Sequence, residues 1–130
     1  MPCITYAIQG IMFAMKWSIE FQHDFEVEFD AMDAGLQDAL LGRLLVLAEF
    51  GPELGRPKVD TLNGSTYANM KELRFDHEGG VWRVAFAFDP SRVGIVLVAG
   101  DKAGVNQKKF YKDLIKTADR RYADHVAPSE

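Results

Sequence analysis

Cysteine is nearly absent from this sequence of 130 residues, in which Cys3 is the single example. One thiol excludes a disulfide framework within the chain and a metal site built from several thiolates. It is typical of proteins that work in a reducing cytosol. Long apolar runs are missing too, since none reaches the roughly 18 residues that a membrane-spanning helix needs. We therefore expect a cytoplasmic protein without a membrane partner.

Motifs for metals and nucleotide cofactors are also missing. The histidines His23, His77 and His125 are scattered and show no metal-ligand spacing. The Gly79-Gly80 pair predicts a turn, and neither the P-loop nor the dinucleotide fingerprint occurs. We therefore predict no metal site and no cofactor. His125 is the best of the three histidines for proton transfer, because it ends a basic helix.

The composition is that of a single globular domain, with 48% hydrophobic and 26% charged residues. Residues 1–14 carry no charge, and regular patterning begins after Met15. We interpret residues 1–14 as an N-terminal extension, produced by a misplaced start or forming a frayed tail; a strand that docks on the domain is the alternative. Residues 15–130 form the domain.

Charge is distributed unevenly along the chain, whose net charge is −4. Residues 16–60 carry four Lys or Arg against ten Asp or Glu, whereas residues 92–121 carry eight against three. This asymmetry predicts a polyanion-binding surface on the C-terminal half. A solvated basic helix face would show the same excess of positive charge.

Hydrophobic periodicity predicts the order strand, helix, helix, three strands, helix. Asp24 is predicted to cap the first helix and Gly35 to end it. The predicted bounds are strands at 16–21, 67–75, 81–88 and 94–100, helices at 25–32, 36–50 and 106–125, and a loop at 51–66. Short links between the last three strands predict an antiparallel meander. The order indicates an α+β fold.

The strand at 81–88 has large apolar side chains at even positions and small ones, together with Arg83, at odd positions. We predict that the large side chains pack under the helices and that the small ones line an open face. Arg83 would then have room to meet an anion; an ion pair with a carboxylate such as Glu72 is the alternative. Alternation allows only one of Lys71 and Arg74 to share this face, and Arg74 is favoured.

More cations follow the last strand. Lys102 comes directly after it, and the helix at 106–125 has an apolar face opposite a basic one. Cations that converge on one edge could bind phosphates and stabilise the charge of a pentacoordinate transition state. Arginine suits this role because its fork matches phosphate oxygens.

Four segments between Met70 and Tyr122 are distinctive: MKELRF, GGVWRVAFAFDP, GIVLVAGDK and FYKDLI. With the stretch at 55–64 and the opening from Met15, they resemble the phage-derived branch of the RelE/ParE toxin superfamily, to which HigB toxins belong. The resemblance covers about residues 15–125. It implies a RelE-like α+β fold, an antiparallel sheet with two N-terminal helices packed on one face and a C-terminal helix.

The resemblance also implies a function. Members of the RelE and HigB type are toxins of type II toxin–antitoxin systems that cut mRNA in the ribosomal A site and inhibit translation. They use no metal, and the ribose 2′-hydroxyl attacks the neighbouring phosphate. The implied partners are mRNA on the ribosome and a helix-turn-helix, HigA-like antitoxin encoded adjacently, in a toxin–antitoxin hetero-oligomer.

By position, the resemblance implies that Arg83, Arg74, Lys102 and Tyr111 are catalytic, with Phe110 as the alternative aromatic. The residues expected to bind RNA are Lys71, Lys108, Lys109 and Lys112. Two departures from the family are the net acidic charge and Glu72, which stands where a second basic residue is common. They keep open the alternative of a catalytically decayed antitoxin-binding module. A non-enzymatic ParE-like gyrase inhibitor is a second alternative, since such toxins belong to the same superfamily.

Overall fold

A computed structural model describes residues 16–127 and, in addition, the backbone of two short strands before them. The predicted extension at 1–14 therefore lies largely outside the described residues. The strands are β1 (Ala7–Ile8), β2 (Ile11–Met12), β3 (Ser18–Phe21), β4 (Val59–Thr61), β5 (Met70–His77), β6 (Gly80–Phe88) and β7 (Val93–Asp101). The helices are α1 (His23–Asp30), α2 (Ala34–Phe50) and α3 (Gln107–Val126), with a 3₁₀ turn at Gly51–Glu53.

Five strands form one sheet in the order β3-β7-β6-β5-β4. The predicted meander is confirmed, because β5, β6 and β7 pair antiparallel with each other. The predicted α+β fold is confirmed, and its sheet is antiparallel except at one edge, where β3 runs parallel to β7. Alternation along β3 identified it as a strand but carries no information about its partner or direction.

Helices α1 and α2 cover one face of the sheet. The buried side chains of Phe25, Leu40 and Leu44 pack in one cluster with Val84 and Phe86 of β6. The large even positions of β6 therefore lie under these helices, as predicted. Burial of such apolar surface is the main favourable contribution to folding, at about 25 cal/mol per Å².

The predicted helix boundaries need two corrections. Gln22, rather than Asp24, caps α1, since its side-chain oxygen accepts a hydrogen bond of 3.1 Å from the backbone N–H of Phe25. Asp33 caps α2 by accepting from Leu36 at 2.9 Å, so Gly35 lies inside α2 and does not end α1. The predicted loop at 51–66 also contains β4, which pairs with β5.

Helix α3 covers the other face of the sheet, which the alternation of β6 predicted to be open. Ala85 and Ala87 are fully buried and pack with Leu114, Ala118 and Tyr122 of α3. That prediction is wrong at Ala85 and Ala87 for a physical reason: small side chains let a helix approach the sheet closely, which fills the room beside them.

Two contacts set the position of α3. At its N-terminal end Phe110 packs on Gly100, where an added Cβ would stand 2.8 Å from the ring. At its C-terminal end the buried Arg121 donates to both carboxylate oxygens of Glu28, at 2.8 and 2.6 Å. In the part of the chain from 16 to 127, no helix is long and apolar enough to cross a membrane.

Candidate active site

The register of the meander brings two predicted site residues together. Arg74 of β5 lies directly opposite Arg83 of β6, and Glu72 lies opposite Ala85. Opposite residues of an antiparallel pair project to the same face. The choice of Arg74 over Lys71 is therefore confirmed as a matter of geometry, since Lys71 lies opposite Phe86 of the α1–α2 face.

Arg83 belongs to a buried cluster with Glu72 and Tyr111. The Tyr111 hydroxyl donates to Glu72 Oε1 at 2.8 Å and accepts from Arg83 Nε at 3.2 Å. Arg83 Nε is 3.5 Å from the same Glu72 oxygen, and the two residues are 6% and 7% exposed. The alternative considered from the sequence, an ion pair of Arg83 with Glu72, is thus present, and the phenol lies within it.

Lys102 lies at the exit of β7, where a tight turn leads to α3. Its backbone N–H donates to the carbonyl of Val81 at 2.9 Å, and the carboxylate of Asp101 holds the turn by accepting from Ala103 N–H at 2.9 Å. Lys102 Nζ is 5.7 Å from the Tyr111 ring centroid and 3.4 Å from Gln107 Oε1. The turn therefore brings this amine to the same cluster.

The electrostatics of the cluster confirm that its cations act on one another. Partial burial and the positive charges of Arg83 and Arg74 lower the pKa of Lys102. Burial, followed by the hydrogen bond to Glu72, raises the pKa of the Tyr111 phenol, which stays protonated and able to donate. Glu72 and Asp76 oppose the lowering of the pKa of Lys102, and Asp60 lies 4.0 Å from Arg74, so carboxylates offset part of the charge of the three cations.

The four lysines expected to bind RNA do not lie together. Lys108 and Lys112 are exposed, about 60° and 100° around the helix axis from Tyr111. Lys109 lies beside Val98 and Gly100 and pairs with Asp113 at 2.9 Å. Lys71, on the other face of the sheet, lies 3.5 Å from the hydroxyl of Thr61.

His125 is far from this cluster. It follows Tyr111 by 14 residues of helix, which corresponds to about 21 Å along the axis. Its Nε2 lies 3.2 Å from Asp89 Oδ2 at the other end of the sheet. The interpretation of His125 as the proton-transfer group therefore does not fit the geometry.

Sequence reasoning missed a second group of charges around Arg74. Asp60 of β4 accepts from Arg56 Nε at 3.0 Å and lies 4.0 Å from Arg74 Nη1. The Arg56 hydrogen bond is the main cause that lowers the pKa of Asp60. No sequence signal pointed to these residues, because β4 is three residues long and lay inside a predicted loop.

Metal-ligating side chains are dispersed in the described part of the chain. Among residues 16–127, no three or more His, Cys, Asp or Glu are arranged to hold a metal ion. The groups that do converge are two guanidinium groups, one amine, one phenol and one carboxylate. Such a set can bind an anion such as a phosphate, orient it by the guanidinium fork and exchange a proton.

Comparison with known proteins identifies relatives over most of the chain. The model of the family "Phage derived protein Gp49-like (DUF891)" matches residues 27–123. A Mycobacterium tuberculosis protein named "Putative toxin HigB2" is 37% identical over 99% of this chain, which spans 64% of that relative's length. A second protein of the same organism, "Putative toxin HigB3", is 44% identical over 76% of this chain and 84% of its own.

The fold matches that of a solved toxin structure. The Escherichia coli toxin RelE, in a mutant form in the free state, superposes with a TM-score of 0.54 over 78% of this chain and 96% of its own. Its sequence identity is 13%, so this likeness concerns the fold alone. From the family match and the two HigB relatives, the chain belongs to the phage-derived Gp49-like family and is a HigB-type protein with the RelE-like fold.

Proposed function

We propose that this chain is the toxin of a type II toxin–antitoxin pair and an endoribonuclease that cleaves mRNA on the ribosome. The observation that carries the proposal is the convergence of Arg74, Arg83, Lys102 and Tyr111 at the N-terminal end of α3. The HigB names of two relatives support it independently.

In the proposed reaction the ribose 2′-oxygen attacks the adjacent phosphorus, and the bond from phosphorus to the 5′-oxygen of the next nucleotide breaks. The products are a 2′,3′-cyclic phosphate and a 5′-hydroxyl. Negative charge grows on the phosphoryl oxygens, and the guanidinium groups of Arg83 and Arg74 stabilise it there. In this scheme side-chain cations supply the electrostatic stabilisation and no metal is needed.

We assign proton transfer to Lys102, whose neutral amine would take the proton of the attacking 2′-hydroxyl and then pass a proton to the departing 5′-oxygen. The lowered pKa of Lys102 brings the neutral amine closer to physiological pH, and catalysis is most efficient when the pKa lies near the working pH. Tyr111 positions Arg83 through its hydroxyl, and the accessible part of its ring is the surface on which a base could stack. The exposed cations of α3 would contact RNA phosphates.

We propose as partner a helix-turn-helix, HigA-like antitoxin encoded beside this chain, in a hetero-oligomer with it. A second candidate function is a catalytically decayed antitoxin-binding module. The Glu72–Arg83 ion pair favours it, because a buried carboxylate at 3.5 Å partly neutralises the central arginine.

The test is induction of the chain in a bacterium, alone and with the adjacent gene, while mRNA 5′ ends are mapped. We expect growth arrest with new cleavage sites that require translation, and rescue by the neighbouring gene. Arrest with intact mRNA and DNA damage signalling would indicate a ParE-like gyrase inhibitor. Growth without arrest would indicate the decayed module.

A further inference from the structure

The charged residues of the candidate active site continue beyond β5 to the edge strand β4. Asp60 of β4 lies directly opposite Glu72 of β5, and Arg74 of β5 lies directly opposite Arg83 of β6. Opposite residues of paired strands project to the same face of a sheet, and so do residues two positions apart on one strand. The α3 face of the sheet therefore carries all four of these residues.

Asp60 brings a further arginine, Arg56, to this face. Asp60 Oδ2 accepts a hydrogen bond of 3.0 Å from Arg56 Nε, and the same oxygen lies 4.0 Å from Arg74 Nη1. Two guanidinium groups therefore lie beside one carboxylate oxygen. Since neighbouring strands are about 4.7–4.9 Å apart, the guanidinium groups follow one another from β6 over β5 to β4. We name Arg83, Arg74 and Arg56 the arginine row.

Arg56 keeps most of its hydrogen-bond donors unused within the described part of the chain. Its side chain is 78% exposed, and among residues 16–127 it donates through Nε alone. The N–H groups on its two terminal nitrogens therefore have no acceptor among those residues. The hydrogen bond from Arg56 is the main cause that lowers the pKa of Asp60, so this carboxylate stays charged and holds the guanidinium group. Its single charge offsets only one of the two arginines beside it.

The arginine row fits the repeating charge of a nucleic-acid strand, in which each nucleotide contributes one phosphate. A guanidinium group can pair with two phosphate oxygens at once, which makes arginine well suited to each position of such a strand. In the proposed reaction the scissile phosphate lies at Arg83 and Arg74. The next phosphate of an RNA strand that follows the row would therefore reach Arg56.

We propose that Arg56 binds the phosphate next to the scissile phosphate and that Asp60 holds Arg56 in position for it. This inference rests on the ribonuclease function proposed above. The neighbouring phosphate keeps its charge during cleavage, so Arg56 binds it equally in the substrate and in the transition state. Such uniform binding lowers KM and leaves kcat unchanged, whereas a group that stabilises the charge of the transition state acts on kcat.

Arg56→Ala tests the phosphate contact at an exposed position. Arg43→Ala is the matched control, since it removes the same side chain from an exposed position of α2, on the opposite face of the sheet. Asp60→Ala tests the positioning role. By charge alone, loss of the Asp60 carboxylate would tighten the binding of an anion, whereas loss of the position of Arg56 would weaken it. The two explanations therefore predict opposite signs.

The first measurement is the affinity of the purified protein for a fluorescent RNA hexamer, in which 2′-O-methyl groups prevent cleavage, at several salt concentrations. We expect Arg56→Ala to bind about tenfold more weakly and its slope of log affinity against log salt to be smaller by about 0.7, the value for one phosphate contact on a single strand. Asp60→Ala should also bind more weakly, and Arg43→Ala should bind like the unmodified chain. No binding by any protein, or the same affinity and slope for Arg56→Ala as for the unmodified chain, would overturn the proposal. Tighter binding by Asp60→Ala would overturn the role of Asp60.

The second measurement is cleavage on programmed ribosomes whose mRNA carries an uncharged methylphosphonate in place of either phosphate beside the cleavage site. We expect Arg56→Ala to raise KM about tenfold with kcat unchanged, and one of the two methylphosphonates to abolish this difference from the unmodified chain. An unchanged KM, or a loss in kcat instead, would overturn the proposal and leave the ribonuclease function intact. Weaker hexamer binding by Arg56→Ala in a chain that cleaves no mRNA would support the phosphate site and contradict the ribonuclease function. Urea unfolding of each variant verifies that folded proteins are compared.

Discussion

Two arginines are buried where α3 meets the rest of the domain, and each faces a glutamate. Arg121 holds both carboxylate oxygens of Glu28 and the carbonyl oxygen of Leu97, all within 2.8 Å. Arg83 donates to the Trp82 carbonyl at 2.9 Å and to the Tyr111 hydroxyl at 3.2 Å, but it has a single Glu72 oxygen, at 3.5 Å. One guanidinium therefore holds its carboxylate through two short hydrogen bonds, and the other does not.

The surroundings of the two arginines differ as well. Glu28 hydrogen bonds raise the pKa of Arg121 further, and Asp24 adds a second negative charge beside it. Arg83 instead lies near Arg74 and Lys102, and the positive charges of both arginines help to lower the pKa of that lysine. Arg121 therefore joins α3 to α1, whereas Arg83 lies among further cations, as the anion site that we propose requires.

The largest expected effect is on activity at Arg83. Arg83→Ala combined with Glu72→Gln should reduce mRNA cleavage by about 100-fold or more, because a donor that stabilises transition-state charge is lost. The second change avoids an unpaired buried carboxylate, which would cost about 3–5 kcal/mol. Cleavage on programmed ribosomes measures the effect. The single variant Glu72→Gln shows how much of the loss is due to Glu72 and how much to Arg83. Full activity in a folded double variant would refute the assignment.

The next effect is on stability at Arg121. Arg121→Ala should lower the free energy of unfolding by about 1.5–3 kcal/mol, since a charged hydrogen-bond network is lost while the half-exposed Glu28 regains water. Urea unfolding measures this. The neighbouring exposed Arg120→Ala should change stability by less than about 0.5 kcal/mol. If folded Arg121→Ala protein failed to cleave mRNA, Arg121 would also be needed for activity, and the two arginines would not differ in role.

A smaller effect is expected at Tyr111. Tyr111→Phe keeps the ring but removes the hydroxyl that links Arg83 to Glu72, so cleavage should fall about tenfold, equivalent to one hydrogen bond. Tyr67→Phe is the control. Tyr67 and Tyr111 both pack against the apolar cluster under α3, and the Tyr67 hydroxyl forms no hydrogen bond with residues 16–127. Equal rates for the two variants would show that the phenol does not position Arg83.

The smallest effect concerns pH. The pKa of Lys102 is lowered from its ordinary value of 10.5, mainly by burial. Between the lowered pKa and 10.5 the unfolded chain holds this proton and the folded protein does not, so stability gains from Lys102 as pH rises through that window. Lys102→Met should remove this gain, and the exposed Lys116→Met should keep it. Urea unfolding at several alkaline pH values measures the free energy of unfolding of both variants. The same pH dependence in both would contradict the lowered pKa of Lys102.

Much of this fold was predictable because its patterns are local. Alternation in β6 and the apolar stripe of α3 depend on residues a few positions apart, so both were recognisable along the chain. The choice of Arg74 over Lys71 followed from the same alternation. The covered face, the parallel strand β3 and the short strand β4 were not predictable, because each depends on partners distant in sequence.

The candidate site likewise has features that were predictable from the sequence and features that depend on residues distant in sequence. The sequence alone was sufficient for the order of elements, which follows from residue type and spacing. The family and the candidates Arg74, Arg83, Lys102 and Tyr111 followed from the resemblance of this sequence to known toxins. Only the tertiary structure decided that α3 buries Arg83, that Tyr111 bridges it to Glu72 and that Asp60 lies beside Arg74. Charge counted along a chain averages over residues that the fold separates, whereas electrostatic attraction depends on distance in space.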